Sequence, residues 1–182
     1  MGEGAANRKA PYHLITIATL TEAGPQLRTV VLRKVDEASR RVTFHTDIRS
    51  AKALEIQADP RIGILAYDPR PAVQIRMNGT ATVAHEGPDV DEAWEATRLL
   101  GRRCYLMSGA PGTPAQDSRE GFTEEQLTRE PTLEESLPGR ENFAIVTCVV
   151  DSMEWMALRF DGHLRARFIY RENIWQESWL LP

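Results

Sequence analysis

Hydrophobic and polar residues alternate with a period of two over much of the first half of the chain, the signature of half-buried strands. The pattern predicts strands over residues 12–20, 28–35, 41–46, 61–67 and 72–84. Val42 and Phe44 share one face of the third, and Val73, Ile75 and Met77 share one face of the fifth, with Gln74, Arg76 and Asn78 opposite. Gly79 marks a bulge or bend there. The connections are short and carry breakers: Glu22-Ala23-Gly24-Pro25, the polar residues 36–40, and Asp68-Pro69-Arg70-Pro71. The period changes at residues 50–58, where Ala51, Leu54 and Ala58 fall on one side of a helix that Asp59-Pro60 stops.

The second half is more mixed. Residues 88–100 read as a helix anchored by Trp94 and by Leu99 or Leu100, and residues 109–118 as a Gly/Pro-rich loop. Thr123 and Gln126 have capping-box spacing, which predicts a helical turn or two over 123–129. Strands are predicted over 143–150 and 153–160, split at Asp151-Ser152, and a last hairpin over 164–170 and 174–180 turns at residues 171–173. Six to eight strands with two or three short helices predict a mainly β protein, a closed or nearly closed antiparallel barrel with helices at its side. Residues 1–182 read as a single domain, with residues 1–11 as a mobile tail and 109–140 as a long loop.

Composition narrows the picture. At 182 residues, 42% apolar and 26% charged, the chain can bury a core without metal or disulfide staples. A net charge of −4 argues against a general nucleic-acid binder. Cys104 and Cys148 are isolated, with no metal-ligand spacing. No apolar run approaches the roughly 18 residues of a membrane span, and residues 1–9 have no apolar core of a secretory signal. A cytoplasmic protein is expected.

The candidate chemistry lies where the second strand, the third strand and the first helix meet in sequence. Arg28 and Lys52 supply cations, Thr46 and Ser50 supply hydroxyl donors, and the helix start supplies backbone N–H groups and a positive dipole end. Together these suit one phosphate. No Gly-x-Gly-x-x-Gly or Walker loop is present. His45 and His163 read as polar neighbours of a pocket, His13 and His85 as surface, and Trp155, Trp175 and Trp179 as core or interface aromatics.

These residues, in their order, resemble the pyridoxamine 5′-phosphate oxidase superfamily, flavoproteins with an FMN-binding split β-barrel. The resemblance is carried by residues 28–33, Phe44-His45-Thr46-Asp47, Ser50-Ala51-Lys52, Gln74-Ile75-Arg76, and a C-terminal run with Glu154-Trp155, Arg165-Ala166-Arg167-Phe168, Trp175 and Trp179-Leu180-Leu181-Pro182. It implies FMN as cofactor, with Arg28, Lys52, Thr46 and Ser50 at its phosphate. The backbone of Arg28, Thr29, Val30, Val31, Leu32 and Arg33 would run along the flavin ring, with His45 beside the site. Gln74 and Arg167 would stand near the ring, and Arg33, Gln74 and Arg167 would tune its potential. His163 and Arg165 would face a small-molecule substrate. The activity implied is hydride transfer between that substrate and flavin N5, in a homodimer with FMN at the subunit interface, and with neither nucleic acid nor membrane as partner.

Several departures stand against the family pattern. Ala51 replaces an arginine of the phosphate region, His45 replaces a tyrosine, and Arg33 replaces a lysine, a change of shape as well as of donor geometry. The family's Arg-x-His pair reads here as His163-Leu164-Arg165, and its Tyr–Arg–Ser cluster for substrate phosphate has only Arg102, Arg103, Tyr105 and Ser108 as spaced-out counterparts. A carrier or redox sensor that binds FMN without turnover, and a barrel that has exchanged flavin for another ligand such as haem, stay open as rivals.

Overall fold

Strand β1 (Leu14–Thr21) pairs with β2 (Gly24–Asp36), and β2 with β3 (Arg41–Asp47). On its other edge β1 pairs with β4 (Arg61–Asp68), which pairs with β5 (Val73–Ala84). Strands β6 (Phe143–Ala157), β7 (Leu164–Arg171) and β8 (Ile174–Leu180) continue the sheet in that order, and β3 also pairs with β6. Six antiparallel strands thus close into a barrel, the predicted class. The computed structural model describes residues 1–117 and 119–182.

Two compact units make up the chain. One comprises Met1–Phe44, Glu55–Thr82 and Thr147–Pro182, the other His45–Leu54 and Val83–Val146. The interior of the first is filled by the inward face of alternating strands, including Ile15, Ile17, Leu32, Val42, Phe44, Ile62, Ile64 and Met77. The second is built round Val90, Trp94, Tyr105, Phe143 and Ile145. Its aromatic rings meet edge to face, Tyr105 on Phe143 at 5.0 Å and Trp94 on Tyr105 at 6.0 Å.

Several elements differ from expectation. Residues 1–11 are no tail: helix α1 (Gly2–Ala6) is followed by a 3-10 turn at Pro11–His13. Gly4 is buried so closely that a Cβ would stand 2.6 Å from the Tyr12 carbonyl carbon. The Gly4 carbonyl oxygen lies 2.8 Å from His13 Nδ1, so His13 is a partly buried tether and not a surface residue. Helix α2 (Ala51–Ala58) falls where the sequence places it. Helix α3 (Pro88–Glu95) is shorter than predicted, and α4 (Leu99–Arg102) is separate. The Arg102 guanidinium donates to the carbonyls of Glu95 and Thr97, capping the C-terminal end of α3.

Residues 109–140 are not all loop. They hold α5 (Glu124–Thr128) and α6 (Leu133–Ser136), each opened by a capping box, Thr123 with Gln126 and Thr132 with Glu135. Strand β6 runs unbroken through Asp151-Ser152. Asp151 points to solvent, the Val150 N–H donates to Arg40 O at 2.9 Å, and Ser152 pairs with Ile169, so the polar pair costs the ladder nothing. The β7–β8 hairpin turns on Glu172 and Asn173, both at positive φ (52° and 62°), as a two-residue hairpin loop requires.

Candidate functional site

In the second unit, the site begins at the turn joining β3 to α2. The Asp47 carboxylate accepts the backbone N–H of Arg49 at 2.8 Å and two guanidinium bonds, Nε to Oδ1 at 3.0 Å and Nη2 to Oδ2 at 2.7 Å. Arg49 also donates to Met107 O at 3.1 Å. The Ser50 N–H donates to Asp47 O at 3.0 Å, and the Ser50 carbonyl accepts the Ala53 N–H at 2.9 Å, which starts the helix. The turn therefore fixes where the helix axis points.

On that turn three predicted residues meet. Thr46 Oγ1 lies 3.0 Å from Ser50 Oγ, and Lys52 Nζ donates to Thr46 Oγ1 at 3.0 Å. Thr46 and Ser50 are buried. One ammonium and two hydroxyls at the start of an eight-residue helix form a donor set suited to a phosphate monoester. The Arg49 guanidinium is engaged through Nε and Nη2 by Asp47 and Met107 O. His45 stands edge-on to Phe143, with centroids 4.8 Å apart.

In the first unit, β2 presents Arg28 inside a closed ring of polar contacts. Its Nη2 lies 2.8 Å from Glu55 Oε2, its Nη1 donates to the Thr19 hydroxyl, and that hydroxyl donates to the same Glu55 oxygen. Val30 and Leu32 point into the barrel, and Thr29 and Arg33 outward. β1 covers one edge of β2 through Val31, whereas β3 pairs with it only from Leu32 onward. Over residues 28–31 the second edge of β2 thus has no strand partner among the described residues. The register slips between Leu32 and Lys34, so Arg33 sits on a bulge.

The remaining predicted residues lie on β5 to β7 of the same unit. Gln74 is half-buried opposite Tyr67. Glu154 Oε2 accepts Arg165 Nη2 at 2.7 Å and Arg76 Nη2 at 2.6 Å. Hydrogen bonding from Arg165, with the charge of Arg76 adding to it against partial burial, holds the Glu154 carboxyl below the usual carboxylate range. Arg167 is exposed on β7. His163 accepts the Arg159 backbone N–H on Nδ1 at 3.1 Å.

Other expectations find different employment. Arg102 is buried, stacks 4.5 Å over Trp94 and bonds Ser136 Oγ, and Arg103 donates to Gln126 O. Both hold the unit together. The clefts lined by Gln116, Phe122 and Leu127 and by Leu106, Arg129 and Glu135 include none of the predicted site residues. Sequence reasoning missed Thr19, Glu55, Asp47, Arg49 and Glu154. Only the Asp47-x-Arg49 spacing carried a local signal, an acid at a strand end with an arginine two residues on.

Comparison with known proteins adds a family. A family model described as pyridoxamine 5′-phosphate oxidase, FMN-binding domain, matches residues 3–85. A pyridoxine/pyridoxamine 5′-phosphate oxidase of Granulibacter bethesdensis is 30% identical over 175 residues, covering 92% of this chain and 80% of that protein. Its counterpart in Rubrobacter xylanophilus is 34% identical over 107 residues, 58% of this chain and 48% of the relative. The chain thus spans about half the length of the first curated relatives it matches. Among solved structures, a pyridoxamine 5′-phosphate oxidase-related, FMN-binding protein of Nostoc punctiforme superposes with a TM-score of 0.77 at 24% identity, covering 100% of this chain and 93% of that one. PhzG from Burkholderia lata, solved with tetrahydrophenazine-1-carboxylic acid, gives 0.74 at 19% identity, covering 96% and 85%. The structural matches establish the split-barrel fold.

Proposed function

Because the chain belongs to the FMN-binding pyridoxamine 5′-phosphate oxidase family, we propose that it is an FMN-dependent oxidoreductase acting on a small substrate. FMN is its cofactor. The observation that carries the reading is the Lys52–Thr46–Ser50 cluster, an ammonium and two buried hydroxyls in mutual hydrogen-bond contact at a helix start. When bound, FMN supplies the two-electron acceptor for the substrate's hydride. The chain supplies the rest. Lys52, Thr46 and Ser50 hold the phosphate tail.

The edge of β2 that lacks a strand partner over residues 28–31 would offer amide and carbonyl groups to the ring, and the family order supports Gln74, Arg33 and Arg167 as its neighbours. A donor or cation near the pyrimidine edge favours the reduced ring by stabilising the charge it gains. Arg165 and His163 are the substrate-side groups, and the Arg76–Glu154–Arg165 trio, two cations on one carboxylate, leaves a net positive charge for an anionic substrate such as pyridoxamine 5′-phosphate.

The strand register supports a homodimer. Thr16 stands opposite Thr29 and Leu65, so Leu14, Leu27, Leu65 and Tyr67 fall on one outward face, where they are 56%, 66%, 36% and 44% exposed. Four large apolar side chains on one face suit burial against a second copy. Two free cysteines fit a reducing, cytoplasmic setting.

The test is a spectrum followed by a turnover assay. Purified protein should show flavin absorbance or gain it on adding FMN. Anaerobic mixing with pyridoxamine 5′-phosphate, other amines or NAD(P)H should bleach the bands, and air should restore them. A protein that ignores FMN sinks the flavin reading. One that binds FMN but is bleached by no donor is a carrier or sensor instead.

A further inference from the structure

We propose that Arg76, which neither the phosphate-binding turn nor the ring assignment uses, joins Arg165 in a subsite for the substrate's anionic group. The inference rests on the FMN reading above and deepens it by naming a residue that sets substrate choice. Its basis lies wholly within the first unit. Glu154 Oε2 accepts Arg76 Nη2 from β5 and both Nε and Nη2 of Arg165 from β7. Among the described residues Glu154 is the one carboxylate that pairs with two arginines. The other ion pairs give each acid one basic partner, as with Arg28 and Glu55 or Arg49 and Asp47.

One carboxylate cancels one guanidinium. Two guanidiniums on the same oxygen repel each other, and a local conflict of this kind is expected where a ligand completes the charge balance. Arg167 stands opposite Glu154 in the β6–β7 register, so it projects from the same face of the sheet. Three arginines against one acid leave two positive charges, close to the charge a phosphate monoester brings near pH 7. The guanidiniums also keep donors to offer. Arg76 Nε and Nη1 and Arg165 Nη1 meet no acceptor among the described residues. The side chains of Arg76 and Arg165 are 52% and 26% exposed, so a small ligand can reach both. Gln74, a ring neighbour in the reading above, lies two positions before Arg76 on the same face of β5.

The experiment titrates the FMN-loaded protein in a calorimeter with pyridoxamine 5′-phosphate and with pyridoxamine, which lacks the phosphate. Wild type should bind the phosphate ester more tightly. Arg76→Gln should lose about tenfold in affinity for the ester, the order of one hydrogen bond to a charged group, with pyridoxamine binding and FMN content unchanged. Arg61→Gln removes an exposed charge of the same sign elsewhere in the unit and should alter neither affinity. Arg76→Lys keeps the charge and should bind the ester more tightly than Arg76→Gln. Should Arg76→Gln not fold, Arg165→Gln carries the same expectation. A lower melting temperature with both affinities unchanged would leave Arg76 as a staple between β5 and β6 and overturn the proposal. Equal losses for the two ligands, or a loss in Arg61→Gln as large as in Arg76→Gln, would overturn it too. Flavin absorbance of the wild type separates the two levels. A chain that takes up no FMN fails the underlying reading and the proposal with it, whereas one that holds FMN and binds both ligands equally fails the proposal alone.

Discussion

Arg49 grips Asp47 through two parallel hydrogen bonds of 3.0 and 2.7 Å, closing the turn that aims α2. The Asp47 side chain is 5% exposed, so Arg49 supplies most of its hydrogen bonds. Arg49→Ala leaves Asp47 with the backbone N–H of residue 49 as its remaining contact of this set. We expect a stability loss of about 1–3 kcal/mol in urea unfolding, the range for stranding a hydrogen-bonded group in a site where Arg49 itself is partly solvated. FMN affinity should fall less than on removing Lys52. An Arg49→Ala protein of unaltered stability that loses FMN as severely as Lys52→Ala would mean that Arg49 touches the cofactor directly.

Lys52→Ala should weaken FMN by about 1.5–3 kcal/mol, the range for a hydrogen bond to a charged group, and leave riboflavin almost untouched. Parallel titrations of the two flavins check this. Equal loss for both would move Lys52 from the phosphate to the ring or to the fold.

Gly79→Ala should destabilise the barrel. A Cβ at this position would stand 2.1 Å from Val149 O and 2.9 Å from Val149 C on β6. The obstacle is backbone, which cannot rotate aside, so β5 and β6 must part. A loss of about 1–3 kcal/mol or more is expected by analogy with overpacked cores. A melting curve superimposable on that of the wild type would show that the strands are not held this close.

Stability should depend on Glu154 in acid. Its folded-state pKa is lowered from the ordinary 4.5, first by hydrogen bonding from Arg165. A carboxyl whose pKa is lower folded than unfolded stabilises the fold above the unfolded value, and that contribution is lost as pH falls through the folded one. Wild type should therefore exceed Glu154→Gln in stability at pH 7, with the gap closing below about pH 4.5. A gap of constant size from pH 7 to pH 3 would count against the ion-pair account.

Much of the barrel was legible because a strand in a closed sheet has one wet and one dry face, and alternation writes that directly into Ile15, Ile17, Val42, Phe44, Ile62 and Ile64. The Thr123 capping box was legible for the same local reason, and Thr132-Leu133-Glu134-Glu135 carried the same spacing in plain view. The break predicted at Asp151-Ser152 is absent because polarity alone does not end a strand. Pairing decides that, and the partners Arg40 and Ile169 lie far off in sequence.

The sequence by itself determined the strand faces, the helix after Ser50, and the order of residues that places the chain in its family, since each depends on neighbours within a few positions. Tertiary structure decided the charge state of the site's surroundings. That Arg28 meets Glu55 27 residues away, that Arg49 reaches the Met107 carbonyl 58 residues away, and that Glu154 gathers Arg76 and Arg165 all follow from chain folding that brings distant groups within hydrogen-bond distance. Between residues far apart in sequence, electrostatic partnership is a property of distance in space, and no spacing along the chain encodes it.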